Sequence, residues 1–247
     1  HLNALMDPLA MSLIFQYDKS TIYLARADVF NQKTMVKFLN YVKILPAFRI
    51  KDGFENLGRN AEIFETCKEV LKQKHNLCIM PEGNQEIERN VRPLVKGLFR
   101  VAFSAQEETD AEIFIVPIGL DYDDLINFGE NLIINIGKPI SVKSYKQAYT
   151  ENPVKTTNEL RNKLRNALIE LTVHIDTKEN YACFETLFNV ATESISATNN
   201  LEKNPVKKFE LRKKIAEKLV QYEKEDEKIT ENLKELCERY NQISKNL

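Results

Sequence analysis

The sequence predicts an α/β fold with a mostly parallel sheet flanked by helices, followed by an all-helical C-terminal extension. As far as about residue 175, short apolar runs alternate with amphipathic helical stretches, the pattern of βα units on a parallel sheet. The chain has 247 residues but only seven glycines, and all seven lie at or before residue 137. Because charged stretches without glycine favour long solvated helices, residues 176–247 are predicted to be helical. We therefore predict an α/β domain over residues 1–175 and a helical, coiled-coil-like region over residues 176–247.

Each element of the first domain has a local signal. Asp7 followed by Pro8 is typical of an N-cap and a first helical turn. Apolar positions at helical spacing predict the other helices, and short β-rich runs predict the strands. Pro93 predicts the start of a helix in the same way as Pro8. The predicted helices cover residues 7–17, 31–42, 61–74, 93–106 and 158–173, and the predicted strands cover residues 21–26, 44–50, 77–80, 113–117 and 132–136.

The extension has its own apolar pattern. Helices are predicted over residues 178–192 and 206–244, and the second has a seam of alternating four- and three-residue steps. Such a seam is typical of a coiled coil. It also fits a helix packed on its own chain, a self-association contact or a helix on a membrane surface. The seam consists of Ile215, Leu219, Tyr222, Ile229, Leu233, Leu236, Tyr240 and Ile243.

Composition excludes several classes of protein. A hydrophobic fraction of 43% can bury a core, which excludes a disordered chain. The formal net charge of −1 argues against a dedicated nucleic-acid binder, which is usually basic. The four cysteines lack metal-like spacing and are predicted to be reduced, mostly buried thiols, as on a cytosolic face. The sequence contains no run of 18 apolar residues, so no spanning helix is predicted.

The first candidate for chemistry is the pair His1 and Asp7. If the chain turns between them, the carboxylate fixes the tautomer of the imidazole and raises its basicity, as a general base requires. The other two histidines are interpreted as structural: His75 lies in the polar loop before the strand at residues 77–80, and His174 lies at the end of a predicted helix.

The second candidate is the loop that follows the strand at residues 77–80. Ligand sites in open α/β sheets lie at the carboxyl ends of strands. Glu82 and Gly83 there combine a polar side chain with unobstructed backbone N–H groups. An ordinary strand-to-loop turn is the alternative interpretation.

The third candidate is a basic segment without acidic residues, which contains Arg89, Arg92, Lys96 and Arg100. If a helix begins at Pro93, the last three share one side, and the helix N-terminus adds a partial positive charge that suits a phosphate. A solvated cationic face is the alternative. Arg49, near the end of another predicted strand, could form bidentate contacts with a phosphate.

In their order and spacing, these elements resemble the glycerol-3-phosphate and lysophosphatidate acyltransferases. The likeness covers roughly residues 1–140, and its four blocks are His1 to Asp7, the ILPAFR segment with Arg49, the IMPEG segment with Glu82 and Gly83, and Val116-Pro117-Ile118. Five residues separate His1 from Asp7, where the commonest family spacing is four. Asn84-Gln85 follows the PEG segment where the family usually has Thr-Arg or Thr-Ser, and Arg89 or Arg92 is a candidate replacement for that arginine.

The resemblance implies transfer of a fatty acyl group from a thioester to a glycerol hydroxyl in phospholipid synthesis. It implies His1 as general base and Asp7 as its orienting carboxylate. It implies neither metal nor cofactor, with acyl-CoA or an acyl carrier protein thioester as the co-substrate. Residues implied to bind the glycerol-phosphate portion are Arg49, Glu82 and Gly83, with Arg89, Arg92 and Lys96 as helpers.

The expected partners follow from that chemistry. A membrane lipid surface, the thioester donor and a second copy of the chain through its C-terminal helix are expected partners, and nucleic acid is not. The expected location is the cytoplasmic face of a membrane, reached peripherally or through a segment upstream of His1. Two alternatives stay open: a non-catalytic lipid-binding or scaffold protein with the same fold, and an acyltransferase for a non-phosphorylated lipid acceptor.

Overall fold

The structure is a computed structural model. It describes residues 7, 10–12, 21–27, 36–37, 44–47, 59–83, 88–123, 131–177, 179–225 and 227–244. Within these ranges the predicted fold class is confirmed, because a small parallel sheet flanked by helices precedes an all-helical stretch. The strands are β1 Thr21–Arg26, β2 Ile44–Ala47, β3 Asn76–Ile79, β4 Phe114–Ile115, β5 Ile118–Tyr122, β6 Leu132–Ile136 and β7 Ile140–Ser141. The helices are α1 Arg59–Lys72, α2 Gly97–Glu108, α3 Lys146–Glu151, α4 Pro153–Leu171, α5 Tyr181–Thr198, α6 Pro205–Glu225 and α7 Glu227–Ser244.

The parallel sheet has the strand order β2-β1-β3. Leu24 in the central strand is in register with Leu45 on one side and Ile79 on the other. Helix α1 packs against β2, β3 and helix α2. Because the three strands run in one direction, their carboxyl ends lie at one edge of the sheet, where ligand sites of α/β folds are found.

The later strands pair differently from the prediction, which placed them on a largely parallel sheet. β4 pairs antiparallel with β7, and β5 pairs antiparallel with β6. Only nine residues join β5 to β6, too few for the crossover connection that a parallel pair requires. β5 was missed because Gly119 and Asp121 interrupt its apolar pattern. A Cβ at Gly119 would lie 2.5 Å from the carbonyl oxygen of Leu171, so a close backbone approach requires glycine there.

Two helices begin at Asn-Pro pairs. The side chain of Asn152 accepts a hydrogen bond from the Lys155 N–H at 3.0 Å, and that of Asn204 accepts one from the Lys207 N–H at 3.1 Å. An N-cap asparagine followed by proline at the first helical position explains why α4 begins at Pro153, five residues before the predicted start.

The chain forms two compact units, each built from separated stretches. The first comprises residues 1–86, 92–117 and 138–166, and the second comprises residues 87–91, 118–137 and 167–247. In the first unit, Phe99 and Phe103 of α2 are buried, and the Phe103 ring stacks on Tyr149 at 3.9 Å between ring centroids. The core of the second unit includes Val173, Ile175, Tyr181, Phe184, Leu187, Phe188, Ala216, Leu219, Val220 and Cys237. The predicted boundary between residues 175 and 176 stays a prediction.

Candidate active site

Six of the eight predicted site residues lie within the described part of the chain. His1 and Arg49 lie outside it, so the pairing of His1 with Asp7 stays a prediction. Asp7 itself is helical and fully buried, with 0% exposure. A carboxylate in such a position must be paired or hydrogen-bonded, since an uncompensated buried charge is strongly unfavourable.

The loop after β3 has the backbone conformation that its sequence suggested. Gly83 has φ = +69°, in the left-handed region that favours glycine. Its N–H faces the Met80 carbonyl at 3.4 Å, and this contact closes the turn over residues 80–83. A Cβ at this position would lie 2.9 Å from Cγ1 of Val95, so both the conformation and the available space require glycine.

The carboxylate of Glu82 is held by Arg92. Oε1 accepts a hydrogen bond from the Arg92 backbone N–H at 3.0 Å, and Oε2 accepts one from Nη2 of the guanidinium at 3.1 Å. The side chains are largely buried, with 7% exposure for Glu82 and 14% for Arg92. A third bond runs from the Val95 N–H to the Pro81 carbonyl at 2.7 Å. The loop and residues 92–95 are therefore joined by backbone and charge-assisted bonds.

These bonds explain why the helix predicted from Pro93 is wrong at its start. The N–H of Val95 donates to Pro81 across the loop instead of along a helix, and α2 begins only at Gly97. Arg92 is therefore not on the helical face predicted for it together with Lys96 and Arg100. Lys96 is exposed and stands at the N-cap position of α2, without a capping bond from its side chain. The guanidinium of Arg100 lies 5.4 Å from the centroid of the Phe64 ring.

Arg89 lies inside the second unit and is 5% exposed. Its guanidinium donates to the carboxylate of Asp121 at 3.4 Å and to the carbonyl of Tyr122 at 3.2 Å. It also lies over the ring of Phe188, 5.4 Å from the centroid. These contacts are internal to the unit. The role of Arg89 in binding substrate stays a prediction.

Arg212 of α6 is a buried residue that the sequence analysis did not single out. It is 1% exposed, and its guanidinium contacts the carboxylates of Asp121 and Asp123 and donates to the Tyr122 carbonyl at 2.8 Å. The sequence does contain a signal for the burial of Arg212, because this residue lies one turn before Ala216 on the apolar face of an amphipathic helix. A buried cation needs a buried anion, and the acids that end β5 were the candidates.

The geometry defines a class of protein: an α/β domain with a glycine-containing polar loop where a parallel strand ends, as ligand-binding α/β enzymes have. Residues 1–121 match the family model described as Acyltransferase. The match supports acyl transfer as the general activity of this part of the chain and is consistent with an O-acyltransferase. Neither the curated proteins nor the solved structures contain a significant match to the chain. Among the described residues, no helix is long and apolar enough to cross a membrane.

Proposed function

We propose that the chain transfers a fatty acyl group from acyl-CoA or an acyl carrier protein thioester to a hydroxyl of glycerol-3-phosphate or lysophosphatidate. The observation that carries the proposal is the acyltransferase family match over the segment that contains His1, Asp7 and the glycine loop. The glycerolipid substrate comes from the resemblance of the four sequence blocks.

In the proposed reaction, His1 takes the proton of the acceptor hydroxyl while the oxygen attacks the thioester carbonyl. The tetrahedral intermediate collapses with cleavage of the carbon–sulfur bond, and the departing thiolate takes the proton from the imidazolium. Asp7 holds the imidazole in the tautomer that presents a free nitrogen to the hydroxyl. No covalent acyl-enzyme is required.

Binding of the glycerol-phosphate portion is proposed for Arg49, Glu82 and Gly83, with Lys96 as an additional cation at the start of α2. The exposed amine of Lys96 and the partial positive charge of a helix N-terminus both favour a phosphate. Because acceptor and product are lipids, we propose that the enzyme works at a membrane surface on the cytoplasmic face.

The direct test is an assay of the purified full chain with both thioester donors and both acceptors. Release of the free thiol and the mass of the lipid product are measured together. His1→Ala is expected to lower turnover by about 10²- to 10⁴-fold, the usual contribution of a general base. His75→Ala is the matched control and is expected to leave turnover unchanged. Normal turnover of a folded His1→Ala variant would overturn the mechanism.

The same assay separates the alternatives. An absence of thiol release with every donor would favour a lipid-binding or scaffold protein. Arg49→Ala should abolish turnover of phosphate-bearing acceptors. A loss confined to phosphate-bearing acceptors would argue against a non-phosphorylated acceptor class, whereas unchanged turnover of every acceptor would support that class.

A further inference from the structure

Two cysteines of the second unit lie beside each other, one on α5 and one on α7. Cys237 of α7 is 5% exposed and belongs to the core of the second unit. Cys183 of α5 is half-buried and packs against that core. Both are free thiols, and because both helices belong to the second unit, their contact lies within that unit.

The geometry of α7 brings the two sulfur atoms together. The Cys183 thiol donates a hydrogen bond to the Leu233 carbonyl at 3.7 Å. In an α-helix this carbonyl accepts the N–H of the residue four positions later, which is Cys237. Because helical side chains lean toward the N-terminus of their helix, the Cys237 side chain extends back over the turn beside which Cys183 lies. The two thiols are therefore neighbours across the α5–α7 contact.

The protonation of Cys183 reflects this contact. Its pKa is raised to about 12, chiefly by burial and then by its hydrogen bond to Cys237. The charges of Lys234 and Glu238 act on it in opposite directions. The side-chain amide of Asn241 donates to Sγ of Cys237 at 3.5 Å, which fixes the direction of that sulfur. Since an S–S bond is about 2.05 Å long, thiols already in hydrogen-bond contact need only a small side-chain movement to be joined.

We propose that Cys183 and Cys237 form a redox modification site, where a small-molecule disulfide of the glutathione type converts the two thiols into a reversible disulfide that fastens α7 to α5. Only a narrow face of α7 is buried: among its described side chains, Thr230 and Cys237 are buried, whereas those of residues 238–244 are exposed. The disulfide adds a covalent attachment to this weakly held helix. The pairing is independent of the proposed acyl transfer.

The exchange takes two steps. The half-buried Cys183 loses its proton to solvent, and its sulfur attacks one sulfur of the small disulfide, which releases one small-molecule thiolate. Cys237, deprotonated in turn, attacks the Cys183 sulfur of this mixed disulfide and displaces the second small-molecule thiolate. The two released thiolates take up the two protons. Two electrons thus pass from the protein thiols to the small disulfide, which is reduced to two thiols.

The pair is tested by equilibrating the full chain at pH 8 with mixtures of reduced and oxidised glutathione, both in its native state and in urea. After digestion with trypsin, Cys183 lies in the peptide over residues 179–203 and Cys237 in the peptide over residues 235–239, so mass spectrometry identifies their link. A disulfide that fits the fold forms more readily in the native chain by the factor with which it stabilises that fold. We expect the equilibrium constant for the link to be about 30- to 700-fold larger in the native chain than in urea.

Cys78→Ala is the matched control, because it removes a half-buried thiol of the first unit. This variant should form the link between the two peptides as the wild-type chain does, whereas Cys237→Ser should abolish it. An equilibrium constant in the native chain no larger than that in urea would overturn the proposal. Preferential linkage of Cys183 or Cys237 to a different cysteine would overturn it as well.

Amide hydrogen exchange tests the attachment of α7. The amides of residues 237–241 should exchange at least about tenfold more slowly in the oxidised chain than in the reduced chain, because the disulfide restrains local opening of the helix. Cys183→Ser and Cys237→Ser should show no such slowing after treatment with the same oxidant. Unchanged exchange in a wild-type chain that carries the link would show that the disulfide does not fasten α7.

Discussion

At the scale of single residues, the backbone conformation and the space at position 83 require glycine. Gly83→Ala places a Cβ 2.9 Å from Val95 in a left-handed conformation. We expect the free energy of unfolding to fall by about 1–2 kcal/mol or more, because an L side chain is strained in this region. Urea denaturation measures the change.

Gly97→Ala is the control for that measurement. Its Cβ would meet Phe64 at an ordinary 3.7 Å, and Gly97 is the first residue of α2. Alanine in a helix is favoured by about 0.5–1 kcal/mol over glycine, so this variant should be neutral or stabilised. Equal losses in the two variants would contradict the conformational argument for Gly83.

The buried thiol of Cys67 and the half-buried thiol of Cys78 give a pH-dependent prediction. Burial raises the pKa of Cys67 to about 11 and that of Cys78 to about 12. At pH 8 we expect iodoacetamide to alkylate the native chain at Cys67 more than about a hundredfold more slowly than an ordinary thiol, because the thiolate is the nucleophile. Mass spectrometry of the native and urea-unfolded chain provides the comparison.

The same shift affects stability with a defined sign. Unfolded thiols ionise from about pH 9 upward, whereas folded Cys67 keeps its proton until about pH 11. The folded state therefore binds more protons in this window, and its contribution to stability falls as the pH rises. Rapid labelling of Cys67 at pH 8 would contradict both statements.

The position of the glycine loop is predictable from the sequence, but its hydrogen bonds are not. Glu82 and Gly83 were predictable because a Pro-Glu-Gly turn directly follows an apolar run. The hydrogen-bond partner of Glu82 was not predictable, because Pro93 favoured a helical conformation for the residues that follow it. The hydrogen bonds that Arg92 and Val95 make to the loop override that local preference. Such bonds between residues far apart in sequence leave no periodic pattern from which they could be predicted.

At the scale of elements, the predicted apolar seam of the C-terminal helix lies on two separate helices. The sequence predicts one helix over residues 206–244, whereas the structure has α6 and α7, with Asp226 outside the described residues. Leu219 is buried in the core of the second unit, and Leu233 packs against it. Leu236, Tyr240 and Ile243 are exposed. The seam predicted that these residues share a face, but periodicity alone does not tell which end finds a partner.

The difference in burial along the seam predicts that the same leucine-to-alanine substitution changes the free energy of unfolding by different amounts at its two ends. Leu219→Ala should cost about 2–5 kcal/mol of unfolding free energy, the usual range for a buried leucine. Leu236→Ala, at a side chain that is 54% exposed, should change it by less than about 0.5 kcal/mol. Both are measured by urea denaturation. A loss in Leu236→Ala that depends on protein concentration would support self-association through α7.

At the scale of the whole molecule, the second unit joins distant parts of the sequence. Arg89 and Asp121 lie within the residues matched by the acyltransferase family, yet both contact side chains of the extension. Arg212 is the counter-ion of Asp121, and Phe188 lies under both arginines. Sequence spacing could not reveal this assembly, because its members are separated by up to about 120 residues along the chain.

Removal of residues 176–247, at the predicted domain boundary, should therefore destabilise the fold of the remaining fragment. Asp121 and Arg89 would lose Arg212 and Phe188, and Val173 and Ile175 would lose the core on which they pack. We expect the fragment over residues 1–175 to bind a hydrophobic dye and to unfold without a cooperative transition, as expanded states with exposed apolar surface do. Removal of residues 238–247 is the control, because residues 238–244 are exposed, and it should preserve a cooperative transition in circular dichroism. A fragment over residues 1–175 with the wild-type midpoint would show that these residues fold without the helical extension.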